Sequence, residues 1–186
     1  MNKKPSEKNY YYPGKIIHVH DKMQSNYSYV ISKPYADMSD HPEFQPELTP
    51  KQMLQFGIFE GKYMNDCVQE FPKEWFQEAY KRNKLSIEDG KPHVEMNYFK
   101  IKSRQSLQEW RRKHWIYEPD VRGWFQWYCR FYIGRRIPDI DKIQIGRWRA
   151  FRRHKGAIQK HCAPNEKECR PRQRQALLQW AYSPFF

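Results

Sequence analysis

At 186 residues, with 39% hydrophobic and 17% aromatic residues, the chain is the size of one ordinary domain, and its rings supply buried area that disordered sequences lack. No run approaches the roughly eighteen apolar residues of a membrane span, and the first residues lack the apolar core of a signal peptide, so an intracellular protein, cytoplasmic or nuclear, with no membrane partner is expected. Cys67, Cys129, Cys162 and Cys169 are too few and too scattered for the disulfide framework of a small secreted domain, so reduced thiols are expected.

The net charge of +13 is unevenly placed. Residues 1–100 carry 14 Lys plus Arg against 14 Asp plus Glu, whereas 101–186 carry 20 against 7, so the second half holds all the excess. The base type changes at the same point. Arg82 is the one arginine of the first half, while arginine makes up most of the bases of the second. Guanidinium grips phosphate with paired hydrogen bonds and stacks on flat rings, which a merely solubilising surface does not need. Six of the seven tryptophans, Trp110, Trp115, Trp124, Trp127, Trp148 and Trp180, lie in the same half.

In chain order, residues 1–48 contain Pro13, Pro34, Pro42 and Pro46 and no helical period, and read as an extended arm with one short strand at Lys15–His20. Thr49-Pro50 opens a helix through Met53, Leu54 and Phe56 that Gly57 stops. A second helix starts at Pro72 with Trp75, Phe76, Ala79 and Tyr80 on one face, and Ile87–His93 is a turn. Ser106-Leu107-Gln108-Glu109 fits a capping box before Trp110–His114. Pro119-Asp120 places an N-cap before Gly123–Ile133, where Trp124, Trp127, Tyr128 and Phe131 share a face, and Gly134 ends that helix. Pro138-Asp139 precedes the longest helix, Ile140–Lys160, and Cys169-Arg170-Pro171 precedes a last one through Ala176, Leu177, Trp180 and Ala181. With no repeat and no strand–helix alternation, the pattern predicts an all-α or α-dominant compact bundle: an arm at 1–48 and a helical domain at 49–186 whose basic half is 101–186.

A helical projection of the long helix groups Ile140, Ile143, Phe151 and Ile158 opposite Lys142, Arg149, Arg152, Arg153 and Lys160. Arg135 and Arg136 at a helix end, and Arg170, Arg172 and Arg174 around the last helix, add two further clusters. Arginines also cap carbonyls at helix ends, and basic amphipathic helices also bind membranes and calmodulin-like proteins. Three clusters in so short a span favour a nucleic-acid partner, DNA or RNA, held mainly through backbone phosphates, and leave oligomeric state open. Arg147 projects onto the apolar side, which demands either an ion pair with Asp120, Asp139 or Asp141 or a cleft open to a ligand phosphate.

Aromatic stripes at helical spacing are usually core, which leaves Trp115 and Tyr132 as candidate base-stacking platforms. His154, His161, Cys162 and Cys169 are zinc-type ligands without zinc spacing, so no metal and no cofactor is expected. Lys62, Tyr63, Asp66 and Cys67 form the densest polar loop of the neutral half and, with Asp120, are the candidates for acid, base or nucleophilic work, against the plainer reading of a polar turn. Phosphate-loop, nucleophile-elbow, His-Glu-x-x-His and zinc-deaminase signatures are absent.

The segments 61–67, Gly123-Trp124-Phe125-Gln126-Trp127-Tyr128-Cys129-Arg130 with Gly134-Arg135-Arg136, Gln144-Ile145-Gly146-Arg147-Trp148 and 169–180 together resemble a family of small basic proteins of large DNA viruses and unicellular eukaryotes. The resemblance spans about residues 49–183 and implies a self-contained module, with no activity attached. The expected function is nucleic-acid binding. The alternatives are an enzyme acting on nucleic acid, with Arg147 holding a phosphate near the 61–67 loop, and an interaction module for an acidic protein.

Overall fold

The computed structural model describes residues 7–86 and 91–186. It is helix-dominant with one small antiparallel sheet: α1 (Glu7–Tyr10), β1 (Ile16–Val19), β2 (Tyr27–Val30), α2 (Pro50–Phe56), α3 (Lys73–Lys81), a 3-10 turn at Val94–Met96, α4 (Leu107–Arg112), α5 (Trp124–Tyr132), α6 (Pro138–Phe151), α7 (Arg153–His161) and α8 (Pro171–Leu178). Four residues of the turn expected at Ile87–His93, residues 87–90, lie outside the described residues. Among those described, no helix is long and apolar enough to cross a membrane.

Local chemistry explains several helix starts. Thr49 accepts from the Gln52 backbone N–H at 3.2 Å while the Gln52 side chain accepts from the Thr49 N–H at 2.9 Å, a complete capping box, and Pro50 occupies the first turn of α2. Ser106 accepts from Glu109 N–H, but the Glu109 carboxylate turns to Arg112 at 2.6 Å, so the box expected there is half formed. Gly123, not Asp120, precedes α5, because the Asp120 carboxylate is drawn into the interior by arginines. At the start of α6 the capping carboxylate is Asp141, which accepts from Ile137 N–H and from the Trp127 indole N–H, both at 2.8 Å.

Helix α5 is the centre of the molecule, and every residue from Trp124 to Phe131 is buried. Its cluster is shared with Tyr11, Ile17, Val19, Tyr29, Ile31, Phe44 and Leu48, so residues 11–48 pack into the core and do not form a separate arm. Tertiary context decides this: the segment is irregular, and it is fixed by the rings it covers. Phe44 touches the rings of Trp127, Tyr128, Phe131 and Trp148 at centroid distances of 4.9–5.6 Å. The β1–β2 hairpin pairs Ile17 with Tyr29 and buries both. Gly134, at φ +112°, lets the 31–33 segment press directly on the end of α5, where the Gly134 carbonyl accepts from Ser32 and Lys33 N–H.

The long helix expected at Ile140–Lys160 is broken at Phe151–Arg153 into α6 and α7. The break shifts the helical phase. Within α6 the inward residues are Asp141, Gln144, Ile145 and Trp148, while Ile143 is 37% exposed, so a single projection across both helices misplaces the apolar face. Cys162 and Cys169 form a disulfide, which corrects the expectation of reduced thiols throughout. The turn between α7 and α8 brings their Cα atoms to 5.8 Å, whereas Cys67 and Cys129 are free and buried.

Candidate nucleic-acid interface

The second-half arginines divide into two groups. The first is internal. Arg130, 0% exposed, donates from Nε and Nη2 to the two oxygens of Glu70 at 2.6 and 3.1 Å, and from Nη1 to Asp120 at 3.1 Å. Asp120 accepts from Arg135 at 2.6 Å on its other oxygen. Tyr29 donates to Glu70 at 2.8 Å, and Arg122 donates to Asp21 at 3.1 Å and Asp66 at 2.8 Å. Burial disfavours the Arg130 charge, and the two carboxylates outweigh it, so its pKa stands above the usual arginine value. Burial also raises Asp21, but the Met23 backbone N–H and the Arg122 guanidinium prevail and hold that carboxyl below its usual range.

This network relocates several expected contacts. Arg135 is 1% exposed and cannot meet a phosphate. Arg136 packs on Phe131, pairs with Asp40 at 2.9 Å and donates to the Phe131, Arg135 and Asp37 carbonyls. Arg174, also 1% exposed, serves the carbonyls of Cys169, Glu166 and Pro184. All three are corrections of the same kind: a guanidinium near a helix end satisfies carbonyls and carboxylates that the sequence does not bring together visibly. Tyr132 is likewise packed, against Tyr35 and Trp75, and is no free stacking platform.

The second group borders a cleft of about 460 Å³ between the 103–115 segment, α5, α6 and α8. Its walls carry Phe59, Tyr63, Trp110, Trp115, Trp124, Phe125, Phe151 and Trp180, with Arg104, Arg122, Arg147, Arg153 and His154 among them. No aspartate or glutamate is among the described residues that line it. Trp180 is the keystone, lying 4.9 Å from both Phe151 and Trp124 and 6.2 Å from Trp110. Trp115, 37% exposed, stands edge-on to Trp110 and carries the Lys113 ammonium 4.7 Å above its ring.

Arg147 is neither of the two simple alternatives in full. Among the described residues it has no carboxylate partner; Asp120 and Asp141 are engaged elsewhere and Asp139 is exposed. It lies 5.2 Å from the Trp110 ring, 5.4 Å from Trp180 and 5.7 Å from Tyr117, and its Nη1 donates to the Trp115 carbonyl at 2.9 Å and to Gln144 at 3.0 Å. Its Nε and Nη2 donate to no described protein atom, and burial without a countercharge pulls its pKa below the usual arginine value. Burial and the neighbouring Arg153 also lower His154, which keeps that ring neutral at pH 7.

Arg149, Arg152 and Arg153 are exposed and form no ion pair with a described residue. Arg170 is exposed and donates to Gln173. Arg172 donates to the Lys102 carbonyl while Ser103, a cleft residue, donates to the Arg172 carbonyl, so the start of α8 is tied to the cleft's edge.

Among the catalytic candidates, Tyr63, Asp66 and Cys67 lie close to Arg122. Lys62 is exposed, Tyr63 faces the cleft with burial raising its pKa, Asp66 is held by Arg122 and the Lys22 N–H, and Asp120 is enclosed between two arginines. Burial pushes the Cys67 thiol up, so it stays protonated at neutral pH. Both sulfurs of the zinc-type cluster are engaged in the disulfide. Sequence reasoning misses Arg104 and Arg122 as cleft residues, because neither lies in an arginine cluster or carries a local signal. No protein-family model, curated protein or solved structure matches the chain.

Proposed function

We propose that the protein binds nucleic acid through its exposed arginines, with Arg149, Arg152, Arg153, Arg170 and Arg172 as phosphate contacts, and through the aromatic cleft that Arg153 lines. The observation that carries the reading is an acid-free, ring-lined cleft bordered by Arg153, together with exposed Arg149, Arg152, Arg170 and Arg172 that form no ion pair with a described residue. Phosphates of a flexible strand satisfy exposed guanidiniums, and unpaired bases satisfy rings.

Binding of a mixed-sequence single-stranded oligonucleotide, followed by fluorescence anisotropy, tests it. Five phosphate contacts imply a log–log salt slope of about −3.5, or about a hundredfold loss of affinity from ~50 to ~200 mM salt. Affinity that stays flat across that range removes the proposal.

A further inference from the structure

The walls of the cleft ask for a ligand that is flat and anionic at once. Rings alone accept many apolar molecules or a quaternary cation, but a cation is excluded here because Arg147 and Arg153 line the same space without an ion-pair partner among the described residues, and no aspartate or glutamate is among the described lining residues. A bare phosphate leaves the ring surfaces of Trp110, Trp115 and Trp180 unused. The volume of about 460 Å³ falls within the range of small-molecule sites, roughly 300–1,000 Å³, and is too small for a folded duplex. One guanidinium of the lining has an edge without a protein partner. Arg147 donates from Nε and Nη2 to no described protein atom while Trp115 and Gln144 fix Nη1, whereas Arg122 is held by Asp21 and Asp66.

From this we infer that the cleft is a site for one unpaired nucleotide, its base against the rings of Trp110, Trp115 and Trp180 and its phosphate at Arg147 and Arg153. The inference rests on the nucleic-acid reading for where such a nucleotide comes from, and the shared chemistry, a base joined to a phosphate, also fits a free mononucleotide. Arg147 is positioned to do both tasks: its plane lies among the rings, so a base completes the stack, and its open edge meets the phosphate.

Quenching of tryptophan fluorescence by adenosine 5′-monophosphate, adenosine and ribose 5-phosphate tests the site, since four of its walls are indoles. Saturable quenching by the monophosphate is expected, with adenosine and ribose 5-phosphate each weaker by about tenfold or more, because each lacks one of the two partners. Arg147→Gln and Ala150→Trp, the latter filling the cleft from α6, should each weaken the monophosphate by at least about tenfold with the melting profile kept. If Ala150→Trp also weakens a single-stranded oligonucleotide, the nucleotide belongs to a strand; if it weakens the monophosphate alone, the ligand is the free nucleotide. Absence of saturable quenching, equal binding of ribose 5-phosphate and the monophosphate, or indifference to Ala150→Trp overturns the inference. Salt-dependent oligonucleotide binding is measured separately on the unaltered protein, so the exposed-arginine reading and the cleft inference fail independently.

Discussion

Arg130 and Arg147 lie on neighbouring helices and are both largely withdrawn from water, yet their surroundings are opposites. Arg130 is closed in by two carboxylates, a carbonyl and Gln24, whereas Arg147 has three rings, one carbonyl, one amide and an open edge. The difference separates an arginine that holds the fold from one that awaits a ligand. It also redraws the charge map. Asp21, Asp40, Glu47, Glu60, Asp66 and Glu70 of the neutral half pair with Arg122, Arg136, Lys155, Arg104 and Arg130 of the basic half. The halves are complementary, and the bases available to a polyanion are those left exposed without a carboxylate, Arg149, Arg152 and Arg153 among them.

The largest expected effect lies on the internal side. Arg130→Gln leaves the buried Glu70 without an ion-pair partner among the described residues and Asp120 with Arg135 alone, and should cost about 3–5 kcal/mol in denaturant unfolding. A cost below ~1 kcal/mol would mean that the network is not what fixes α5. Reducing the Cys162–Cys169 disulfide should cost about 2 kcal/mol, from the entropy of opening its short loop, and loosen the α7–α8 turn. A melt unchanged by reductant contradicts that.

Acid should probe the same network from another side. The folded Asp21 carboxyl sits below its unfolded value of about 3.9, so its contribution is present above that pH and is lost as pH falls through the lower folded value. Stability measured from pH 5 down to pH 2 should therefore fall more steeply in the unaltered protein than in Asp21→Asn. Parallel curves would show that the Arg122 pairing carries no linkage. The smallest effect belongs to the exposed arginines: Arg149→Gln should leave stability within about 0.5 kcal/mol and reduce the magnitude of the salt slope by about 0.7.

Particular residues show what the sequence made legible. The Thr49 cap and Pro50, the aromatic stripe of α5 as core, the strand at Ile17 and Val19, and the exposed Arg149, Arg152 and Arg153 follow from spacing and local propensity. What depends on contacts far apart in the chain does not. Glu70 meets Arg130 across 60 positions and Asp66 meets Arg122 across 56, and neither pair has a periodic signature. The same distance hides Arg104 and Arg122 from a site search. The break at Phe151–Arg153 defeats the projection of one helix, yet Arg147 remains the singular arginine of that stretch because no nearby carboxylate suits it.

The comparison turns on one paired titration: fluorescence binding of a single-stranded oligonucleotide to the unaltered protein and to Arg147→Gln at fixed low salt, with melting recorded on the same samples. Arg147→Gln strands no carboxylate, so its stability should fall by no more than about 1 kcal/mol. Its affinity should fall about tenfold or more, as loss of a charge-assisted phosphate contact within a stack requires. A variant that binds as the unaltered protein does, or that unfolds as readily as Arg130→Gln, would contradict the division between the two arginines.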